Sequence, residues 1–255
     1  MNVAIVGAGL IGKKRAASLD ENDCLSIVCD INEFFAKELA NEFATRYTNK
    51  VEDIIVNNNI DVVIISVINK YATEIAVAML KSGKNILCEK PLGRNIRESQ
   101  NILSTAEKSG KIIKTGFNHR FHPAIIKTKR LLENEEIGKI INIRARYGHG
   151  GRPGMEKEWR SSKNLCGGGE LIDQGVHIID LCRWFTCNEV SQVYGKTYTS
   201  FWKTDVEDNA FFNLEFGGYI LAQCHVSWTN WKNIFSFEIF GDNGYIKIDG
   251  LGGSY

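Results

Sequence analysis

Apolar residues follow two different rhythms along this chain, and the rhythm changes near residue 118. In the first part, short β-branched runs alternate with helix-period segments. Val3–Val6 is a buried strand and Leu10–Leu19 a helix; Leu25–Cys29, closed by Asp30, is a strand before a helix over Ile31–Phe43. Val62–Ile65 is too continuously apolar for a half-exposed strand, which suits a parallel strand covered on both faces. Glu74–Lys81 is helical up to Gly83, Asn85–Cys88 is strand, Ile96–Lys108 is helix before Gly110, and Ile112–Thr115 is strand. This alternation predicts an α/β fold with a doubly wound parallel sheet over residues 1–118.

From residue 119 the order is different. A helix over Pro123–Glu133 precedes a strand, Ile140–Tyr147, and a glycine-rich loop, Gly148–Gly154. After a further helix containing Asp173 and His177, strand follows strand. Phe212/Leu214/Phe216, Ile220/Ala222/Cys224/Val226/Trp228 and Phe235/Phe237/Ile239 each alternate with more polar neighbours, and Tyr245–Ile248 is a last strand. The pattern predicts an α+β domain over residues 119–255, with a predominantly antiparallel open sheet covered by helices on one face. The tail Gly252–Tyr255 is turn-like and does not resemble a finished domain terminus, so the second domain is expected to be truncated there.

Composition narrows the class. With 44% hydrophobic and 24% charged residues the chain is an ordinary globular sequence, and a net charge of +1 gives no reason to expect nucleic acid or an acidic membrane as partner. No apolar run approaches the roughly 18 residues of a membrane span. The N-terminus enters a strand with no basic leader region, so a cytoplasmic setting is expected. Seven scattered cysteines without Cys-x-x-Cys spacing suggest buried free thiols in a reducing compartment, not zinc or disulfides.

Three groups of residues carry chemistry. Gly7-Ala8-Gly9-Leu10-Ile11-Gly12 satisfies the dinucleotide fingerprint G-x-G-x-x-G between a strand and a helix, as in a Rossmann domain. Asp30 follows the second strand, where a carboxylate accepts from ribose hydroxyls and repels a 2′-phosphate, so NAD is favoured over NADP. Capping of the next helix is the competing reading of Asp30, and Asn32 would cap equally well. Asp173 and His177, four apart, fall on one helical face and form a candidate proton-transfer unit. Lys90, just past a strand in Cys88-Glu89-Lys90-Pro91, points to the carboxyl edge of the sheet, where such folds bind ligands. His119 and His122 lack a third ligand nearby in sequence, so no metal site is expected. His119 with Arg120 is placed at the mouth of a site or on a loop surface, and His225 at an interface.

Gly7–Gly12, Glu89-Lys90-Pro91, Gly116-Phe117-Asn118-His119-Arg120-Phe121, Trp159-Arg160 and Gly167–Asp180 together resemble the glucose–fructose oxidoreductase / inositol dehydrogenase / MocA family. The resemblance runs the length of the chain. It implies that Lys90, Asp173 and His177 form the catalytic set. Gly7, Gly9, Leu10, Ile11, Gly12, Asp30, Asn69, Glu89 and Lys90 would meet the cofactor. Asn118, Arg120, His149, Trp159 and Arg160, with Asp173 and His177, would meet the substrate. Where the family commonly reads Thr-Pro-Asn-x-x-His, this chain has Val67-Ile68-Asn69-Lys70-Tyr71-Ala72 and keeps only Asn69, so contacts beside the nicotinamide are expected to differ. Full-length members also usually continue beyond the point where this chain stops.

The expected activity is an NAD-dependent oxidoreductase acting on a secondary alcohol of a sugar, cyclitol or nucleotide sugar. Two other classes compete: a glycosidase that oxidises its sugar transiently with tightly held NAD, and a non-catalytic NAD-sensing protein. A homodimer or homotetramer is expected through the open sheet face, where Tyr219, Leu221, Gln223, His225 and Ser227 alternate outward.

Overall fold

The computed structural model describes residues 1–251, and the turn-like tail at 252–255 lies outside the described residues. Two compact units divide at Gly116/Phe117. The first carries β1 (Asn2–Val6), α1 (Leu10–Ala16), β2 (Cys24–Cys29), α2 (Glu33–Glu42), β3 (Arg46–Thr48), α3 (Glu52–Ile55), β4 (Val62–Ile65), α4 (Asn69–Lys81), β5 (Asn85–Cys88), α5 (Ile96–Ser109) and β6 (Ile113–Thr115). Its strands are all parallel, in the order β3-β2-β1-β4-β5-β6.

The sheet is continuously apolar because both faces are covered. Val3 and Ile5 pack with Ala36 and Leu39 of α2, whereas Ala4 and Val6 pack with Ala76, Met79 and Leu80 of α4 and Ile102 of α5. β1 has β2 on one side and β4 on the other, so sheet growth reverses there and the carboxyl end of β1 is a topological switch point. Helix α1 is only seven residues long, three short of expectation. Asn32, not Asp30, caps α2, accepting from the Phe34 N–H at 3.1 Å. Helix α4 begins at Asn69, five residues before the expected start, because Ala72 continues its buried face.

The second unit carries a 3₁₀ turn (Asn118–Phe121), α6 (Pro123–Glu133), β7 (Ile140–Gly148), α7 (Lys163–Cys166), a π turn (Leu171–Gly175), α8 (Val176–Thr186), β8 (Val190–Tyr198), β9 (Asn209–Phe216), β10 (Ile220–Ser227), β11 (Ile234–Gly241) and β12 (Gly244–Asp249). Strand order is β12-β11-β7-β10-β9-β8, antiparallel throughout except for the central β7–β10 pair. Ile125 of α6 and Ile178, Leu181 and Phe185 of α8 join the inward residues of β7, β9, β10 and β11 in one core, so the helices cover a single face, as expected. His122 caps α6, its Nδ1 accepting from the Ala124 N–H at 3.2 Å.

Three sequence expectations are corrected. Trp228 leaves the sheet core and packs with Met155, Cys166 and Val206 in a satellite cluster beneath the loops. Ser227 is buried and bonded to Thr229 at 2.8 Å, so it is not part of the open face. Five cysteines are buried, but Cys24 and Cys187 are exposed. No helix among the described residues is long and apolar enough to cross a membrane.

Candidate active-site residues

In the first unit, β1 delivers the chain into Gly7, whose φ of 100° lies in the left-handed region that favours glycine. A Cβ on Gly7 would collide with the Ser66 carbonyl, and one on Gly12 with the carbonyl of Gly7. Gly9 differs: nothing lies within 4 Å of its Cβ position. No side chain caps α1, no acidic residue stands in its first turn, and the backbone at Gly9 is open. This suits the close approach of a pyrophosphate. Ser66, which the sequence did not single out, donates to the Gly7 carbonyl at 2.8 Å and holds the turn closed.

Asp30 is tied into the same loop. Its Oδ2 accepts from the Ala8 N–H and its Oδ1 from the Asn32 N–H, both at 2.8 Å. The carboxylate therefore braces the glycine turn while each oxygen keeps a second lone pair for a ribose hydroxyl. Asn69 is buried at the first residue of α4.

Glu89 is paired within the first unit. Arg15 of α1 bonds it through Nε at 2.6 Å and Nη2 at 2.5 Å, and a Cβ on Gly116 would run into its carboxylate. That ion pair anchors the segment carrying Lys90, which follows the carboxyl end of β5 and joins Pro91 through a cis peptide.

In the second unit, Gly169 lies too close to Glu207 for any side chain, and its carbonyl accepts from the Asp173 N–H at 2.9 Å. The chain then widens into the π turn before α8. Asp173 belongs to that turn and His177 to the first turn of the α-helix, so the regular i, i+4 stacking expected from sequence does not describe the pair. Asp173 lies 3.7 Å from Arg160, whose guanidinium stacks on Trp159 at 4.4 Å. His177 is 4% exposed and sits among rings: His119 at 3.9 Å, Phe117 at 6.0 Å and Tyr147 at 6.3 Å between centroids.

His119 corrects the expectation of a mouth or loop-surface residue. It is 7% exposed, bonds the Tyr147 hydroxyl through Nε2 at 3.2 Å, and approaches Asn118 Oδ1 through Nδ1 at 3.3 Å. The sequence does not single out Tyr147, which reads only as the end of a strand. The Arg120 guanidinium is engaged by Asp180, a contact that the sequence reading of Arg120 as a substrate donor did not include.

His149 begins the loop after β7, where its Nδ1 accepts from the Gly151 N–H at 2.9 Å and its ring faces Trp228 at 6.5 Å. Burial pushes its pKa below the ordinary histidine value; Asp173 and Glu158 oppose the shift, and Arg152 and Arg160 add to it. His149, Asp173 and Arg160 thus share one electrostatic neighbourhood. His225 lies apart on the sheet, stacked on Phe211 at 3.9 Å.

Residues 1–117 match the model of an oxidoreductase family with an NAD-binding Rossmann fold, and residues 125–247 match the GFO/IDH/MocA C-terminal domain. A levoglucosan dehydrogenase of Pseudarthrobacter phenanthrenivorans is 30% identical over 199 residues, covering 72% of this chain and 50% of that protein. A myo-inositol 2-dehydrogenase of Thermotoga maritima is 27% identical over 197 residues, covering 76% of this chain and 57% of that one. The chain therefore spans only about half the length of these curated relatives. Among solved structures, levoglucosan dehydrogenase in complex with NADH and L-sorbose aligns with a TM-score of 0.91 at 27% identity, over 98% of this chain and 73% of that one. GenD2 from gentamicin A biosynthesis, in complex with NAD, also gives 0.91 at 27% identity, over 98% and 72%. Matched in both halves by the two domain models of one group, the chain belongs to the GFO/IDH/MocA oxidoreductase family.

Proposed function

We propose that the chain acts as an NAD-dependent dehydrogenase on a secondary alcohol of a sugar or cyclitol. The observation that carries this reading is a buried imidazole, His177, on a helix entered through a π turn with Asp173, in a family whose first domain is of the NAD-binding type. Bound NAD supplies the hydride acceptor. The open backbone at Gly9 and the Asp30 carboxylate support its pyrophosphate and ribose contacts. In the oxidation direction His177 takes the hydroxyl proton. Lys90 donates a hydrogen bond to that oxygen and stabilises its developing charge. Asp173, with Arg160 beside it, orients the substrate.

Relatives named for levoglucosan and myo-inositol support a cyclic polyol as substrate class. The test is an NADH-formation screen over levoglucosan, myo-inositol and nucleotide sugars. Stoichiometric NADH from at least one cyclic polyol is expected. Turnover of a glycoside without NADH, or NAD binding without turnover of any of them, would defeat the proposal.

A further inference from the structure

His177 is held by groups that the proposed proton transfer does not use. His119 lies against it with planes 36° apart and centroids 3.9 Å apart, close enough for face contact. Both nitrogens of His119 are engaged at its ring edge, by Tyr147 and by Asn118. A carbonyl oxygen only accepts, so in the neutral ring Nδ1 donates to Asn118 and Nε2 accepts from the tyrosine hydroxyl. What His119 offers His177 is therefore its π face. Phe235, centred 5.9 Å from His119 and 5.3 Å from Tyr147, backs the assembly.

We infer that His119 is a positioning residue for His177. Its face fixes the plane of the base and favours the imidazolium formed when His177 accepts a proton, as an aromatic ring favours a nearby cation. Tyr147 and Asn118 keep that face in place. The inference rests on His177 being the base. A residue that merely fills space could be replaced by any side chain of similar bulk, whereas a stacking platform requires a ring.

That contrast defines the experiment, done on the full chain with saturating NAD and with levoglucosan and myo-inositol as probe substrates. His119→Met keeps bulk without a ring and should lower kcat ~10-fold with both KM values little changed. His119→Phe keeps the ring without its two edge bonds and should retain clearly more of kcat than His119→Met. Unchanged kcat in His119→Met, or equal impairment of the two variants, would overturn the inference. A substrate-free readout accompanies the kinetics. The chain has 5 histidines, so a ¹⁵N-histidine spectrum is sparse enough to assign the His177 ring with a His177→Gln control. Its ring signals should be displaced upfield by the neighbouring ring in the parent and in His119→Phe, but not in His119→Met; an undisplaced parent signal refutes the stack. A fully active His177→Ala would instead remove the base assignment itself. An inactive His177→Ala beside an unaffected His119→Met would sink only this inference.

Discussion

The Arg120 guanidinium meets the Asp180 carboxylate in a two-pronged contact, Nε to Oδ2 at 2.7 Å and Nη2 to Oδ1 at 2.6 Å. Asp180 lies one turn beyond His177 on α8, and Arg120 follows His119 in the 3₁₀ turn, so the ion pair clasps the turn to the helix. Arg120 also lies over the Trp184 ring at 5.3 Å. Planar two-point geometry is what an arginine provides and a lysine does not. Arg120→Lys and Asp180→Asn should each cost about 1–3 kcal/mol, leaving charged partners poorly satisfied in a half-buried place. Calorimetry should show a thermal midpoint lower by several degrees. A change confined to substrate KM, with the midpoint intact, would return Arg120 to a substrate-binding role.

Cofactor preference turns on Asp30. Its carboxylate repels a 2′-phosphate, so the parent should bind NAD at least several-fold more tightly than NADP. Asp30→Ala should narrow that gap, and by removing the acceptor for the Ala8 N–H it should also weaken both dinucleotides. Titration calorimetry that finds NADP bound as tightly as NAD by the parent contradicts the assignment.

Proton transfer by a placed base contributes ~10²–10⁴-fold to rate. His177→Ala and Lys90→Ala should each reduce kcat ~10²-fold or more, with NAD affinity nearly unchanged. On the proposal that both serve one proton transfer, the double variant should lose little beyond the worse single one. Steady-state kinetics on the alcohol found in the NADH screen decide it, and full activity in either single variant rejects that residue.

His149 gives a pH prediction. Burial holds its folded pKa below that of the unfolded chain, so at mildly acidic pH the unfolded state binds the extra proton. Its contribution to stability is complete above the ordinary histidine pKa and is lost as pH falls through the depressed folded value. Protonation at Nδ1 would also break the bond from the Gly151 N–H. Asparagine at this position would still accept that bond but would not titrate. His149→Asn should therefore lose less thermal stability than the parent between about pH 7.5 and about pH 5.5. Equal losses in melting experiments would show that His149 does not titrate in this window.

Legibility from sequence followed burial. The strands β1, β4 and β5 were readable because parallel strands covered on both faces become short continuous apolar runs. The three-residue β3 was not, since Arg46 and Tyr47 are exposed and leave no periodic signature. The π turn was hidden because its residues are helix-compatible, and the close approach of Gly169 to Glu207 just before it joins residues far apart in the chain. The ion pair of Arg120 was hidden because its partner is 60 residues distant. His119 shows the same limit. Local pattern does not reveal that a side chain in a short polar turn points inward to a histidine and a tyrosine from elsewhere in the unit.

The uncovered face of the second sheet leads to the last prediction. Register places Leu221 and Gln223 of β10 beside Asn142 and Arg144 of β7, with Phe240 and Glu238 of β11 beyond them and Glu215 and Asn213 of β9 on the other side, and it sets Phe211 of β9 beside His225. Leu221 is 47% and Phe211 48% exposed, and on the edge strand Tyr194 is 55% exposed. Arg144 lies over the Phe240 ring at 5.8 Å, which leaves its charge partly masked. Tyrosine, phenylalanine and arginine are the residue types enriched at protein interfaces. A second copy of the chain offers the same mixed surface, and two-fold pairing makes it self-complementary. Light scattering should accordingly give a dimer or tetramer mass, and Leu221→Glu, which sets a carboxylate in the middle of the face, should shift it towards monomer. His225 stacks on Phe211 at one end of this surface, and His225→Ala should weaken the assembly less than Leu221→Glu because it introduces no buried charge. A parent monomeric at micromolar concentration, or a Leu221→Glu variant with undiminished mass, would show that this face is not the contact.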